Sequence, residues 1–329
     1  MTGKTIVYLP NWLGDMVMAI PFLNSLRASL DGELWAIGKT KAIHIYNGVS
    51  LFDRFIPFDN TRIIPFLDMV TFLKGFEFDR AIALPHSFRS ALLFYMAGIG
   101  QRVGYVRNKR GFMLTHRVPE RQAVEPTVEH YLKIIDSLGG KRLTDTPSLC
   151  VSADEESKFD EKHLDINRPY VAFIVGAQYG PSKRWPSAHF SELADRIAKE
   201  LGIKVYILPG KGEERLAREI YEGVTSRDRV EIKPMDIREL KVCLSRASAV
   251  VSNDTGPRHI AAALSVPTVV LFGAMDERYT LYPSDSTHGI SKNMPCRPCN
   301  DRHCDRGYEC LKSITPGEVL SKLEEIVGN

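Results

Sequence analysis

Several signatures are missing from these 329 residues, and each absence removes a class of function. No run of 18 or more uncharged apolar residues occurs, so no helical membrane span is expected. The first predicted strand, Thr5 to Leu9, is not preceded by a basic segment and a cleavable apolar stretch, which argues against secretion and for a cytoplasmic protein. Neither G-x-G-x-x-G after a predicted strand nor G-x4-G-K-[ST] is present, so a dinucleotide dehydrogenase and a Walker-type phosphate loop have no support. Charge of one sign is scarce: 43 Lys and Arg against 40 Asp and Glu leave +3, too little to argue for nucleic acid as a partner. Internal repeats and low-complexity tracts are lacking too.

Cysteine is sparse except in one place. Cys150 and Cys243 stand alone, whereas Cys296, Cys299, Cys304 and Cys310 form C-x2-C-x4-C-x5-C. Four thiolates can hold a tetrahedral metal, but the usual second C-x2-C knuckle is missing. A metal site, a reduced metal-free loop and oxidative pairing all stay open, although a cytoplasmic setting disfavours structural disulfides.

Core material is ample: 44% of the residues are hydrophobic and 25% charged, as in ordinary soluble globular proteins. The chain is long for one hydrophobic core, so two domains are expected. Short apolar runs alternate with helical-period segments, the mark of βα units around parallel sheets. In the first half the strands are Thr5 to Leu9, Leu34 to Ile37, Arg54 to Ile56, Arg80 to Leu84 and Arg102 to Tyr105, with a helix from about Met16 to Leu30 carrying Pro21. In the second they are Tyr170 to Val175, Val205 to Leu208, Val230 to Ile232, Val250 to Ser252 and Val269 to Phe272. A helix from Ala188 to Leu201 is stopped by Gly202. The boundary falls near residue 160, giving domains 1–160 and 161–329. Such sheets bind ligands beyond the carboxyl ends of their strands, and two of them facing one another enclose a cleft.

Polar turns follow the strands where that chemistry belongs. Ser252 to His259 runs from a strand into a helix, with Pro257 at its first position and Thr255 or Gly256 as the cap. Free N–H groups there favour a phosphate, though a well-capped connection has the same pattern. His259, one turn into that helix, is favoured as neutral imidazole, whether structural or functional. Lys183 leaves the loop Gly176 to Pro186 just before a helix, well placed to meet a diphosphate, while Arg184 faces solvent or the adjacent domain. Asp15 closes the turn Asn11-Trp12-Leu13-Gly14-Asp15, either as a helix-starting carboxylate or as a general base toward a hydroxyl. Arg102, Arg107, Lys109, Arg110, Arg117 and Arg121 are opposed within their segment by Glu120 alone, which reads either as a solvated loop or as a field for an anionic partner.

Three of these segments together carry a resemblance. Asn11 to Asp15 with Met18 and Pro21, Gly176 to Pro186 ending Lys-Arg-Trp-Pro, and Ser252 to Gly256 with His259 resemble the ADP-heptose:lipopolysaccharide heptosyltransferases of glycosyltransferase family 9. The first two are more like heptosyltransferase II than I. The resemblance implies an α/β GT-B fold: two Rossmann-like domains, parallel sheets facing an interdomain cleft, acceptor on the first and nucleotide sugar on the second. It implies an inverting glycosyltransferase that needs no metal or cofactor and moves L-glycero-D-manno-heptose from ADP-heptose to the first heptose of the inner core.

In that reading Asp15 is the general base, and Lys183 with the Thr255 and Gly256 amides stabilises the departing ADP. Asp254 binds heptose hydroxyls, His259 supports the turn, Met235 marks the adenine region, and Glu214 matches a ribose contact. Asn11, Arg89 and Arg107 fall to an anionic glycolipid acceptor, with peripheral contact to the inner membrane surface open and a monomer expected. Pro257 and Arg258 depart from many relatives, and Arg258 adds a cation near the diphosphate. Transfer to a Kdo-terminated core or a protein, and a non-catalytic nucleotide-binding module with a cysteine-rich partner or metal site, are the competing readings.

Overall fold

The apolar runs pair into two parallel six-stranded sheets. The computed structural model describes residues 1–59, 62–120, 123–166, 169–284 and 286–327. In the first sheet the strands are β1 (Thr5–Tyr8), β2 (Leu34–Gly38), β3 (Arg54–Pro57), β4 (Arg80–Ala83), β5 (Gln101–Tyr105) and β6 (His116–Val118), ordered β3-β2-β1-β4-β5-β6. The second contains β7 (Tyr170–Ile174), β8 (Lys204–Ile207), β9 (Val230–Ile232), β10 (Ala249–Asn253), β11 (Thr268–Phe272) and β12 (Thr287–Ser291). Its order, β12-β11-β10-β7-β8-β9, is the same topology read from the other edge. β1, β7, β10 and β11 are buried throughout, as parallel strands covered on both faces must be.

This topology fixes where ligands can bind. Strand order reverses between β1 and β4 in one sheet and between β7 and β10 in the other, and the crevice beyond such a switch point is the binding position of doubly wound sheets. Tyr8 pairs with Ala83 and Ile174 with Ser252, so the loops that follow these strands emerge side by side.

Ten of the strands lie where the apolar runs put them, and the two additions are edges. β6 is three residues long and β12 reads Thr-His-Gly-Ile-Ser; neither has the apolar run that marks a central strand. The expected helix from Met16 to Leu30 is two helices, Leu13–Met18 and Ile20–Ser29, broken at Ala19. Pro21 has no N–H to donate one turn back and its ring crowds that turn, so the chain restarts there. The predicted helix after Lys183 spans Ser187–Arg196, continues as a π turn Ile197–Leu201 and stops at Gly202 with φ 68°.

The chain divides into Met1–Ser148 with Arg278–Tyr282, and Leu149–Glu277 with Pro283–Asn329, rather than near residue 160. Leu143 N–H still donates to Ser25 Oγ at 3.1 Å, whereas Leu149 N–H donates to Ala263 O at 2.8 Å. Helix Ala153–Lys162 starts with a reciprocal Ser152–Glu155 capping box. The other oxygen of Glu155 meets Lys241 Nζ at 2.8 Å, both side chains almost fully buried. That buried pair ties the helix to Ile237–Arg246 of the second unit.

Removing one partner of such a pair leaves an uncompensated buried charge, so Lys241→Ala is expected to cost about 3–5 kcal/mol. Lys158→Ala, which removes the exposed Lys158–Asp154 pair, is expected to cost little. Equilibrium urea unfolding of the two variants checks the contrast; equal midpoints would refute it.

Candidate functional site

At the β7/β10 switch point, the side chain that ends β10 ties in the segment after β7. Asn253, fully buried, donates from Nδ2 to Val175 O at 2.7 Å and accepts at Oδ1 from Trp185 N–H at 3.0 Å. Trp185 is itself buried and anchored through Nε1–H to Ile314 O at 2.9 Å. The loop therefore returns to the sheet at a fixed point, with Lys183 ending a short 3-10 turn, Pro181–Lys183, just before it.

Lys183 Nζ lies 2.7 Å from Asp254 Oδ2 and 3.1 Å from Asp254 O. The other carboxylate oxygen, Oδ1, accepts from Arg258 Nε at 2.9 Å. Asp254 and Arg258 are 2% and 1% exposed. This corrects the expectation that Arg258 adds a cation toward the diphosphate: its side chain is sealed under the turn, against Asp254 and the Phe272 ring. Burial pushes the Asp254 carboxyl up, but the neighbouring Arg258 and Lys183 charges outweigh that and hold it well below the usual carboxylate range. An ammonium has three donors, and Asp254 takes two of those on Lys183.

Thr255 caps helix Gly256–Ala263 in extended conformation, and Pro257 takes the second helical position rather than the first. Its missing N–H falls among the groups that lack an intrahelical partner anyway, leaving the Gly256 amide in the first turn. His259 is 3% exposed; burial first, then Arg258, holds its imidazole well below its ordinary 6.5, so it is neutral at physiological pH. Neutrality thus has a stronger cause than the helix start alone.

Glu214 and Met235 follow β8 and β9, so the donor-side residues named from sequence all stand at carboxyl ends of the second sheet. Glu214 is exposed and accepts the Gly212 N–H at 3.1 Å; Met235 is half-buried. The neighbouring Glu213 is the carboxylate that reaches the switch point. It lies so close to Gly176 that a Cβ there would stand 1.8 Å from it, and it accepts the Gly210 N–H at 2.8 Å.

The cysteine-rich segment braces the Lys183 loop. Ser182 Oγ–H donates to Asp301 O at 2.6 Å and Tyr179 O–H to Asn300 O at 2.8 Å. All six cysteines are free thiols, and among the described residues no three His, Cys, Asp or Glu side chains converge as a metal site.

In the first unit, Asn11 is exposed in the loop after β1, and Asp15 is half-buried in the first turn of helix Leu13–Met18. Charge from Asp15 reaches Lys41 and Tyr46, and Tyr46 O–H is held by Met16 O at 2.8 Å. Arg89, after β4, lies over the Phe66 ring and donates to Arg62 O at 3.0 Å. Arg107, after β5, pairs with Glu120 at 3.0 Å.

The basic segment is only partly a surface field. Arg110 is fully buried and donates to Tyr105 O at 2.9 Å, Ser90 Oγ at 3.1 Å and Pro85 O; burial brings its guanidinium down to about 10, still protonated at neutral pH. Arg102 bonds to Met113 O and Ile99 O. Arg121 lies outside the described residues.

Sequence reasoning gave no role to Asn253, Trp185, Glu213 or His86. His86 Nε2 sits 3.2 Å from His130 Nε2 beside the switch point, with His130 stacked on Tyr105 at 3.8 Å. A polar side chain ending an otherwise apolar strand was the available signal for Asn253; the histidines are 44 residues apart and had none.

His259 generates a pH dependence with a definite sign. Below its ordinary 6.5 the unfolded chain takes up a proton that the folded chain refuses, so stability falls as pH drops. His259→Asn is expected to flatten unfolding free energy between about pH 7 and about pH 5, measured by urea titration at stepped pH. Parallel curves for parent and variant would remove His259 as the cause.

A model of glycosyltransferase family 9 (heptosyltransferase) matches residues 68–308. The sequence is 26% identical to lipopolysaccharide heptosyltransferase 2 of Escherichia coli K12, over 98% of both chains. Among solved structures, E. coli ADP-heptose lps heptosyltransferase II is similar with a TM-score of 0.85 at 24% identity over 98% of each chain. The E. coli heptosyltransferase WaaC, solved with ADP-2-deoxy-2-fluoro heptose, is similar with a TM-score of 0.70 at 19% identity over 98% of this chain and 99% of that one. Because that family model spans most of its length, the chain belongs to glycosyltransferase family 9.

Proposed function

We propose that this enzyme transfers L-glycero-D-manno-heptose from ADP-heptose to the first heptose of the lipopolysaccharide inner core. The observation that carries the reading is Lys183 fixed on Asp254 beside the first turn of helix Gly256–Ala263. That pairing of a positioned ammonium with helix-start amides suits a departing diphosphate. The E. coli relatives support the choice of donor and acceptor: one is named for lipopolysaccharide and the other was solved with an ADP-heptose analogue.

The first unit takes the acceptor, with Asn11, Arg89 and Arg107 toward its anionic groups, and the second takes the donor. Asp15 accepts the acceptor hydroxyl proton as that oxygen forms its bond to the anomeric carbon. The bond from that carbon to the diphosphate oxygen breaks, and ADP leaves with the electron pair. Attack opposite the leaving group inverts the configuration. Lys183 and the Thr255 and Gly256 amides hold the charge that develops on ADP. Asp254 keeps Lys183 in place. Met235 lies toward adenine, Glu214 toward ribose, and His259 supports the turn as a neutral group.

Two variants separate these roles. Asp15→Asn is expected to lower kcat by roughly 10²- to 10⁴-fold, the usual contribution of a general base, with ADP binding by calorimetry unchanged. Lys183→Ala is expected to lower kcat by about 10²- to 10³-fold and to weaken ADP binding as well. Unaltered turnover in Asp15→Asn would remove it as the base. Mass analysis of products from truncated core acceptors tests the acceptor: addition only to a Kdo-terminated core or to protein would overturn the first-heptose assignment.

A further inference from the structure

Trp12 breaks two local rules at once. Of the three tryptophans in the chain, Trp35 and Trp185 are 5% and 1% exposed and pack edge-on against Phe78 and Phe190, whereas Trp12 is 57% exposed. It is also the N-cap of helix Leu13–Met18, in extended conformation, and its side chain makes no cap hydrogen bond. A Ser, Thr, Asp or Asn there satisfies a first-turn N–H; an indole, which only donates, cannot. The residue forgoes both burial and capping. Such a local conflict is expected where function, rather than folding, sets the residue.

Position gives the exposed ring a use. The Trp12 carbonyl accepts the Met16 N–H at 2.9 Å and the Asp15 carbonyl accepts the Ala19 N–H at 2.9 Å, so the backbone that carries the ring is fixed. N-cap and N3 are the two positions that a capping box joins, and here Trp12 and Asp15 occupy them. The ring and the carboxylate therefore start from adjacent points of one turn, on the loop that leaves β1 at the β1/β4 switch point.

Chemistry selects what lies on the ring. An indole is a flat, rigid apolar surface with a single N–H at its edge. A pyranose is its complement, with C–H bonds on its faces and hydroxyls around its rim, so that stacking covers the apolar face and leaves the hydroxyls to polar groups. The neighbouring carboxylate narrows the choice further. Asp15 accepts from a hydroxyl but repels a phosphate, and an acyl chain offers it nothing.

We propose that Trp12 is the stacking platform for the acceptor pyranose that bears the reacting hydroxyl, and so a specificity-determining residue of the first unit. The inference rests on the reading in which Asp15 meets an acceptor hydroxyl, and it adds the surface on which that sugar is held. An aromatic platform fixes the plane of a sugar ring, and with it the direction from which a rim hydroxyl reaches the carboxylate.

The test uses the full chain with a water-soluble, deacylated, heptose-terminated core oligosaccharide. Trp12→Ala is expected to raise KM for this acceptor about tenfold or more, with kcat at saturating acceptor and ADP binding by calorimetry unchanged, the pattern of lost ground-state binding. Trp12→Phe, which keeps a flat ring, is expected to recover most of the loss. A readout independent of turnover comes from fluorescence: with Trp35 and Trp185 buried, acrylamide quenching reports chiefly on Trp12. The oligosaccharide is expected to protect the parent from quenching, and ADP-heptose alone is not. Thermal melts of both variants are expected to match the parent, because the side chain is exposed.

An unchanged acceptor KM in Trp12→Ala overturns the proposal, as does protection by ADP-heptose alone. A loss of kcat with KM unchanged overturns it too, because it makes Trp12 a brace for the Asp15 turn. Should Trp12→Ala fail to fold, quenching of the parent and the kinetics of Trp12→Phe decide. Protection by the oligosaccharide in a parent that transfers no heptose to it would instead leave the platform standing and overturn the acceptor reading.

Discussion

A single sealed carboxylate organises the second unit. Asp254 is enclosed between Arg258, four residues ahead in the helix that follows it, and Lys183, which arrives from the loop of another strand. Neither cation alone would do both jobs. Arg258 offsets the desolvation of Asp254 from within the turn, while Lys183 uses the same carboxylate to fix the end of its long side chain. A buried ion pair adds little net stability over a hydrophobic substitute, but losing one partner is costly. The arrangement therefore specifies geometry more than it adds strength, and Asn253 reinforces it by joining the same two backbone segments without charge.

The two sheets repeat one strand order, yet their switch points are built differently. In the second unit the converging groups are an ion triad and a helix start. In the first they are Asp15 near Lys41 and Tyr46, with a pair of histidines beside the neighbouring loop. Topology supplies the place, and the side chains decide the chemistry.

Legibility in the sequence followed physical range. Central strands announce themselves because both faces are buried and the apolar run is unbroken; β6 and β12 are edges with polar residues and announce nothing. Pro21 was visible, but whether it would sit in an early turn or divide the helix depended on the packing around it. The turns that carry Lys183, Met235 and Asp254 were legible as segments that follow strands, since a βα repeat places such turns on one edge of a sheet. Their pairing was not. Lys183 and Asp254 are 71 residues apart, and no local pattern says that Arg258 points inward or that Arg110, within a cationic segment, is buried among carbonyls. Charge counted along a chain is blind to burial, which is why two cations of an apparent positive field, Arg110 and Arg102, prove to be tied to backbone carbonyls instead.

In the function proposed above, the contact between Lys183 and Asp254 also bears on selectivity. An ammonium already seated on a carboxylate does not bind an incoming anion by simple capture; it undergoes an exchange, giving up or sharing one negative partner for another. A stray phosphate or sulfate has to compete with a carboxylate that is tethered in place and needs no ordering. A diphosphate attached to a nucleoside and a sugar brings further contacts with it, and can win the exchange where the bare ion cannot. Under that proposal the resting pair is a built-in competitor that sets a threshold for occupancy.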